Sequence, residues 1–205
     1  MNEVVLIGTG GHCRSCIDVI EAAGSLKVAG VVGADDSDPQ RVFGYPFLGT
    51  DSNMGSVFAD YKLGLIAVGQ IRTPRVRIRL YEAARRHGAD FPVIVSPHSY
   101  ISRRASLGDG SIAMHGAIIN AGASVGANCI INSQSLIEHG VRIGDHSHVS
   151  TGARVNGEAV VGAGSFIGSG AVIHEGVVIG EQCIVAAGSC IAEDLPNGYK
   201  YRSGS

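Results

Sequence analysis

The chain has 205 residues, 45 % hydrophobic and 17 % charged, with a formal net charge of −2. That balance excludes a disordered chain, and no apolar run approaches the ~20 residues that cross a bilayer. No Lys/Arg cluster is joined to aromatics, so the expected partners are small molecules and not nucleic acid or membrane. Met1-Asn2-Glu3 leads into a short apolar run without a basic flank, which argues against a secretory signal and predicts a cytoplasmic protein.

Val4 to Ile7 reads as a buried strand, followed by Gly8-Thr9-Gly10-Gly11-His12 and a helix to Ala23. A second strand covers Val28 to Val32 and ends near Asp35 and Asp36. Leu63 to Val68 is another strand, closed by Gly69. Pro74 to His87 is a basic helix, and Phe91 to Val95 a last strand. Strands alternating with helices predict a small Rossmann-like parallel sheet over residues 1–96, with Ser96-Pro97-His98 as the boundary.

Gly8-x-Gly10 between a strand and a helix predicts a nucleotide or another anion at the helix N-terminus, where unpaired N–H groups and the dipole attract negative charge. A tight structural turn is the alternative. Cys13 stands where the third glycine of a dinucleotide fingerprint belongs, and the segment is too short for a six-stranded NAD domain. The substrate-binding candidates are therefore Gly8, Gly10, Gly11 and His12, then Asp35 and Asp36, where carboxylates commonly reach a sugar hydroxyl. Gly69 and Arg75 complete the set. Arg72, Arg77 and Arg79 are expected mostly on the solvated face of their helix.

Five cysteines make an odd set in a chain this long, so no disulfide framework is expected. Cys13-x-x-Cys16 at a helix start has the layout of a redox motif, but two small side chains packing a helix is the simpler reading. Zinc at that motif would need a second Cys/His pair at ligand spacing.

The second half is a repeat. From Ile101 in steps of six, fifteen of sixteen positions to Ile191 are Val, Ile or Leu. Four residues after each, thirteen of sixteen positions from Ala105 to Leu195 are Ala, Ser or Cys. A period of six excludes an α-helix and predicts a parallel β-helix, in which three hexads close one triangular coil. The aliphatic residue points inward, the small one fits the corner, and glycines such as Gly108, Gly126 and Gly144 relieve the turn. Residues 97–205 form this domain, about 25 Å tall at ~4.8 Å per strand layer. No loop interrupts the repeat.

Together, Gly8-Thr9-Gly10-Gly11-His12 and the β-helix segment Ser135-Leu136-Ile137-Glu138-His139-Gly140 resemble the bacterial sialic-acid O-acetyltransferase family. Close relatives of that family N-acetylate nucleotide-linked 4-amino sugars. The resemblance runs from Val4 to about Pro196. It implies a left-handed β-helix, a homotrimer with active sites between chains, and acetyl-CoA lying between adjacent β-helices without a metal. It implies that His139, with Glu138 beside it, carries the chemistry as the base, that His148 contacts the acetyl end of the cofactor, and that the Gly157 N–H faces the thioester oxygen. In the amino-sugar enzymes the α/β domain holds the nucleotide-sugar. Gly140 departs from those enzymes, which carry an acidic residue there, and sides with the sialic-acid branch.

A histidine near pKa 6.5 suits a base at neutral pH, and no Ser or Cys is clearly paired with His139, which favours direct transfer. His139 and Gly157 are one coil apart on one edge, whereas His148 lies half a coil away on another side. A shared site would then need two chains. The rivals are a zinc carbonic anhydrase built on His146-x-His148 with His139 or His115, and a non-catalytic sugar-nucleotide binding protein.

Overall fold

The computed structural model describes residues 2–33 and 42–202. Strand β1 (Asn2–Ile7) pairs in parallel with β2 (Leu26–Gly33) on one side and β4 (Leu63–Ile66) on the other. Strand β3 (Phe47–Thr50) extends the sheet beyond β2, giving the order β3-β2-β1-β4. The β1 residues Val4 to Ile7 are fully buried, as a strand covered on both faces must be. Helix α1 (Gly11–Ala23) packs one face, while α2 (Met54–Asp60) and α3 (Arg75–Arg86) cover the other. Strand β3 and α2 are too short to stand out in the sequence: β3 has four residues, and α2 offers a single set of helical spacing, Met54, Val57 and Phe58.

From β5 (Ile94–Val95) to β22 (Lys200–Tyr201) the chain winds through two-residue strands into three parallel sheets of five, seven and six strands. These are the three faces of a left-handed β-helix. Up to Ile191 each strand pairs with the one 18 residues on, as Leu136–Ile137 (β12) does with Arg154–Val155 (β15), and the last coil closes two residues shorter, Ile184 pairing with Lys200. The hexad aliphatics from Ile119 to Ile191 stack as one buried column, with the small residues beside them.

Two details differ from expectation. The apolar run Phe91 to Val95 joins no α/β strand, because Ile94–Val95 pairs with Ile112–Ala113 and opens the β-helix. A short apolar strand reads alike in either setting. The glycines at the second hexad position owe their place to crowding and not to the turn angle: a Cβ on Gly144 would stand 2.6 Å from the Ala163 nitrogen of the next coil. The left-handed backbone falls two residues later, at φ +67° for Gly140 and +60° for Glu158.

The α/β domain seals one face of the β-helix. Ile112, Met114 and Ile130 share a core with Cys13, Cys16 and Ile17 of α1. Polar straps reinforce the junction. His115 bonds Ser96 Oγ through Nδ1 at 2.6 Å and Asp18 Oδ2 through Nε2 at 3.0 Å. Arg77, expected on a solvated face, is 1 % exposed. Its guanidinium donates to the carbonyls of Ile66 and Val68 and to both oxygens of Asn128 across the junction. Sequence periodicity alone could not separate it from Arg75 and Arg79, which are exposed.

The stacked column predicts a large penalty for a hole. Ile137, fully buried in β12, should cost about 2–5 kcal/mol when replaced by Ala. Urea unfolding measures this, and a loss under about 1 kcal/mol would mean that the column does not carry the fold.

Candidate active site

Two places on the β-helix gather the candidate residues. The first is a cavity of about 830 Å³ where the α/β domain meets the seven-stranded face. Helix α1 starts there on Gly10, which supplies no side-chain cap, and its first turn holds no acidic residue. A Cβ on Gly10 or Gly11 would meet nothing within 4 Å, so the helix N-terminus opens directly on the cavity. Unpaired N–H groups at such an end attract an anion. Gly8 has another duty: at φ +129°, its Cα faces Val68 Cγ2, which an added Cβ would approach to 2.7 Å. It shapes the turn and does not line the cavity.

His12 and Gly69 line the wall, together with His148 from β14 (His148–Val149). The two imidazole centroids are 6.4 Å apart. His148 thus stands with the Gly-rich turn of its own chain. Its Nδ1–H donates to the Gln70 carbonyl at 2.7 Å, and its Nε2 accepts from Asn132 Nδ2 at 3.2 Å. Asn132 is oriented by the Ser133 N–H, which donates to its Oδ1. Both ring nitrogens are therefore spoken for. Gln70 and Asn132 are site residues that the sequence reading misses; polar residues on a coil edge carry no periodic signal, and only the docked domain gives them a common neighbour. Gln70 also donates from Nε2 to the carbonyls of Gly164 and Ser165. Arg75 is exposed and lies off the cavity wall, its N–H bonded to Thr73 Oγ1. Asp35 and Asp36 lie outside the described residues.

The second place is the corner that follows β12 on the six-stranded face. His139 is exposed there, and its imidazole leans over Gly157 of the next coil. A Cβ on Gly157 would fall 2.7 Å from Nδ1 and 3.0 Å from Nε2, and closer still to Cε1. Only glycine leaves room for the ring. No described residue accepts the Gly157 N–H, so a proton acceptor and an unpaired amide donor share one corner. Glu138 does not reach the ring: its Oε2 accepts from Asn120 Nδ2 and from the His139 N–H, which steadies the corner. The Glu158 carboxylate rests on Gly140, where a Cβ would displace it. His146 and His148, the pair a zinc site would use, diverge. His146 bonds Asn128 and packs edge-on against Tyr81, and no group of three metal-ligating side chains gathers among the described residues.

Comparison with known proteins agrees with this architecture. Residues 3–84 match the PglD N-terminal domain, residues 116–156 the hexapeptide repeat of succinyl-transferase, and residues 158–193 the bacterial transferase hexapeptide. A histidine-to-asparagine mutant of perosamine N-acetyltransferase from Caulobacter crescentus, in complex with CoA and GDP-perosamine, is 32 % identical, with a TM-score of 0.92 over 98 % of this chain and 93 % of that one. The chain belongs to the hexapeptide-repeat sugar acetyltransferase family. The acetyltransferase domain of PglB from Neisseria gonorrhoeae FA1090, in complex with acetyl coenzyme A, is 29 % identical over 98 % of this chain and 96 % of that one, with a TM-score of 0.87. WeeI from Acinetobacter baumannii AYE shares the fold at 20 % identity, covering 98 % of this chain and 96 % of that one, with a TM-score of 0.77. No curated protein sequence matches the chain. Like other members of the family this chain is an acyltransferase, and none of its described helices is long and apolar enough to cross a membrane.

In this acyltransferase the cavity histidines are held neutral. Burial, helped by the Arg77 cation, pushes His12 down to about 3, and burial pushes His148 down to about 4. Both values lie below that of a free imidazole, so as pH falls below about 6.5 the unfolded chain takes up protons that the folded chain refuses. Stability is therefore complete above that pH and lost on the way down. Between pH 5.5 and 4.5 the two histidines should together remove about 2–3 kcal/mol per chain, and His148→Asn should abolish about half of that loss. Urea unfolding at the two pH values measures it; an unchanged slope in His148→Asn would contradict the buried neutral ring.

Proposed function

We propose that the chain is an acetyl-CoA-dependent N-acetyltransferase acting on a nucleotide-linked amino sugar. The observation that carries the chemistry is the His139 imidazole packed on Gly157, whose N–H has no acceptor among the described residues. The relatives supply the substrate class: perosamine N-acetyltransferase is described with CoA and GDP-perosamine, at 32–33 % identity over nearly the whole chain. One of those complexes was captured with a histidine replaced, as suits a reaction that turns on an imidazole.

Acetyl-CoA supplies the acyl group as a thioester. His139 takes a proton from the acceptor amine as the amine attacks the thioester carbonyl, forming the C–N bond. The Gly157 N–H donates to the carbonyl oxygen as negative charge builds on it. The C–S bond then breaks, and His139 returns the proton to the departing sulfur. Glu138 keeps the corner in register, with Asn120, so that the imidazole stays over Gly157. The nucleotide-sugar enters the cavity at the α1 N-terminus, with Gly10, Gly11 and His12 toward its phosphates and Gly69 toward the sugar, while His148 keeps the place expected of it beside the acetyl end of the cofactor. Asp35 and Asp36 keep the sugar or ribose role expected from their place after β2.

His139 and the cavity sit on successive corners of one β-helix. A site that uses both therefore takes them from two chains, which is the reason for a homotrimer. Both co-substrates are cytoplasmic metabolites, so the reaction is assigned to the cytoplasm. Gly140, with no acid of its own beside His139, favours a second reading: O-acetylation of a sialic-acid-type sugar.

His139→Ala should lower kcat about 10²–10⁴-fold and leave acetyl-CoA affinity nearly unchanged. CoA release measured with UDP- and GDP-linked 4-amino sugars, against free sialic acid, reads both the assignment and the acceptor. An unimpaired His139→Ala enzyme sinks the mechanism, and turnover of sialic acid alone selects the second reading.

A further inference from the structure

The Cys13-x-x-Cys16 motif takes no part in the chemistry above, yet one of its thiols touches the cavity wall from behind. Both cysteines are fully buried on the inner side of α1. Burial pushes the Cys13 thiol up to about 12, and Cys16, with Cys13 beside it, higher still. Neither forms the thiolate that exchange chemistry needs, so Cys16 keeps its S–H at every physiological pH.

Cys16 is one turn on from His12, at the i, i+4 spacing that stacks side chains on one helix face. Its Sγ lies 3.5 Å from His12 Nε2. One hydrogen joins these two atoms, and it sits on the sulfur or on the nitrogen. A neutral thiol is a weak acceptor, whereas an imidazole nitrogen is a good one. The charge of Arg77, felt by both Cys16 and His12 from the buried side, also favours a lone pair there over an N–H.

We propose that Cys16 is a positioning residue: its S–H donates to His12 Nε2 and holds His12 as the Nδ1–H tautomer. Each neutral imidazole has one donor and one acceptor, so the ring then offers the cavity a donor. No described residue accepts from His12 Nδ1. That N–H joins the open amides of the α1 N-terminus in facing a ligand oxygen, of the phosphate or carboxylate class. This consequence rests on the reading of the cavity as the acceptor site. It also gives the Gly-Gly-His turn a recognition group that does not titrate between pH 5 and 9.

The test uses the full chain labelled with ¹⁵N-histidine, the His12 signals assigned by their loss in His12→Gln. Long-range ¹⁵N–¹H spectra report which ring nitrogen carries the proton. The wild type should show Nδ1–H, Cys16→Ser should retain it, and Cys16→Val, similar in volume but without a donor, should release the ring to a mixture containing Nε2–H. UDP should bind about 3- to 10-fold more weakly to Cys16→Val than to the wild type or Cys16→Ser. Nε2–H in the wild type overturns the proposal without any variant, and so does Nδ1–H surviving unchanged in Cys16→Val. A lock that behaves as expected while UDP and GDP leave the His12 signals untouched would contradict the cavity reading and not the lock.

Discussion

Everything in this molecule depends on a rung spacing of 18 residues. Parallel pairing of each two-residue strand with its equivalent one coil on carries a column of Val, Ile and Leu up the axis. It also brings residues 18 apart into contact at each corner. His139 and Gly157 meet for that reason alone, as do Gly140 and the residue that follows Gly157. The corner is narrow enough that a single methyl group decides what it holds. Gly157 lacks the methyl, and the imidazole occupies the space.

The second constraint is the junction. The α/β domain is not tethered beside the β-helix but glued to one of its faces, through an apolar core and a buried guanidinium that finds carbonyl oxygens and no carboxylate. A cation buried in this way keeps its charge, though burial draws it down to about 10. Its field reaches His12 and His148 and helps to hold both neutral. The cavity therefore has neutral, hydrogen-bonding walls with a buried cation behind them, an environment suited to a phosphate-bearing ligand. Structure and recognition share one residue here: Arg77 closes the junction and sets the cavity's electrostatics together.

Much of this was legible in the residues. The hexad rows from Ile101 and Ala105 prescribe the β-helix, because no other regular structure has a period of six. The turn Gly8 to His12 shows an uncapped helix start, which needs no tertiary information to be recognised, and Gly10, Gly11 and His12 do line a cavity. The resemblance carried by Ile137-Glu138-His139 pointed to the corner histidine. What could not be read is what docking creates. Arg77 looks like its exposed neighbours until a β-helix corner supplies Asn128. His148 looks like a corner polar residue until Gln70 arrives from the other domain, and its company with His12 follows from that contact alone. The run before Ser96 joined the wrong sheet on paper, because strand propensity does not specify a partner.

The proposed mechanism divides the labour between chains: one corner would carry the base, and the adjacent corner of another chain the acceptor cavity. Refolding an equimolar mixture of His139→Ala with a cavity variant, His148→Ala, tests it directly. Each parent alone should be nearly inactive. In a cyclic trimer with random mixing, one interface in four joins an intact His139 to an intact cavity, so about a quarter of wild-type CoA release should return. A mixture no more active than the average of its parents would contradict the two-chain site.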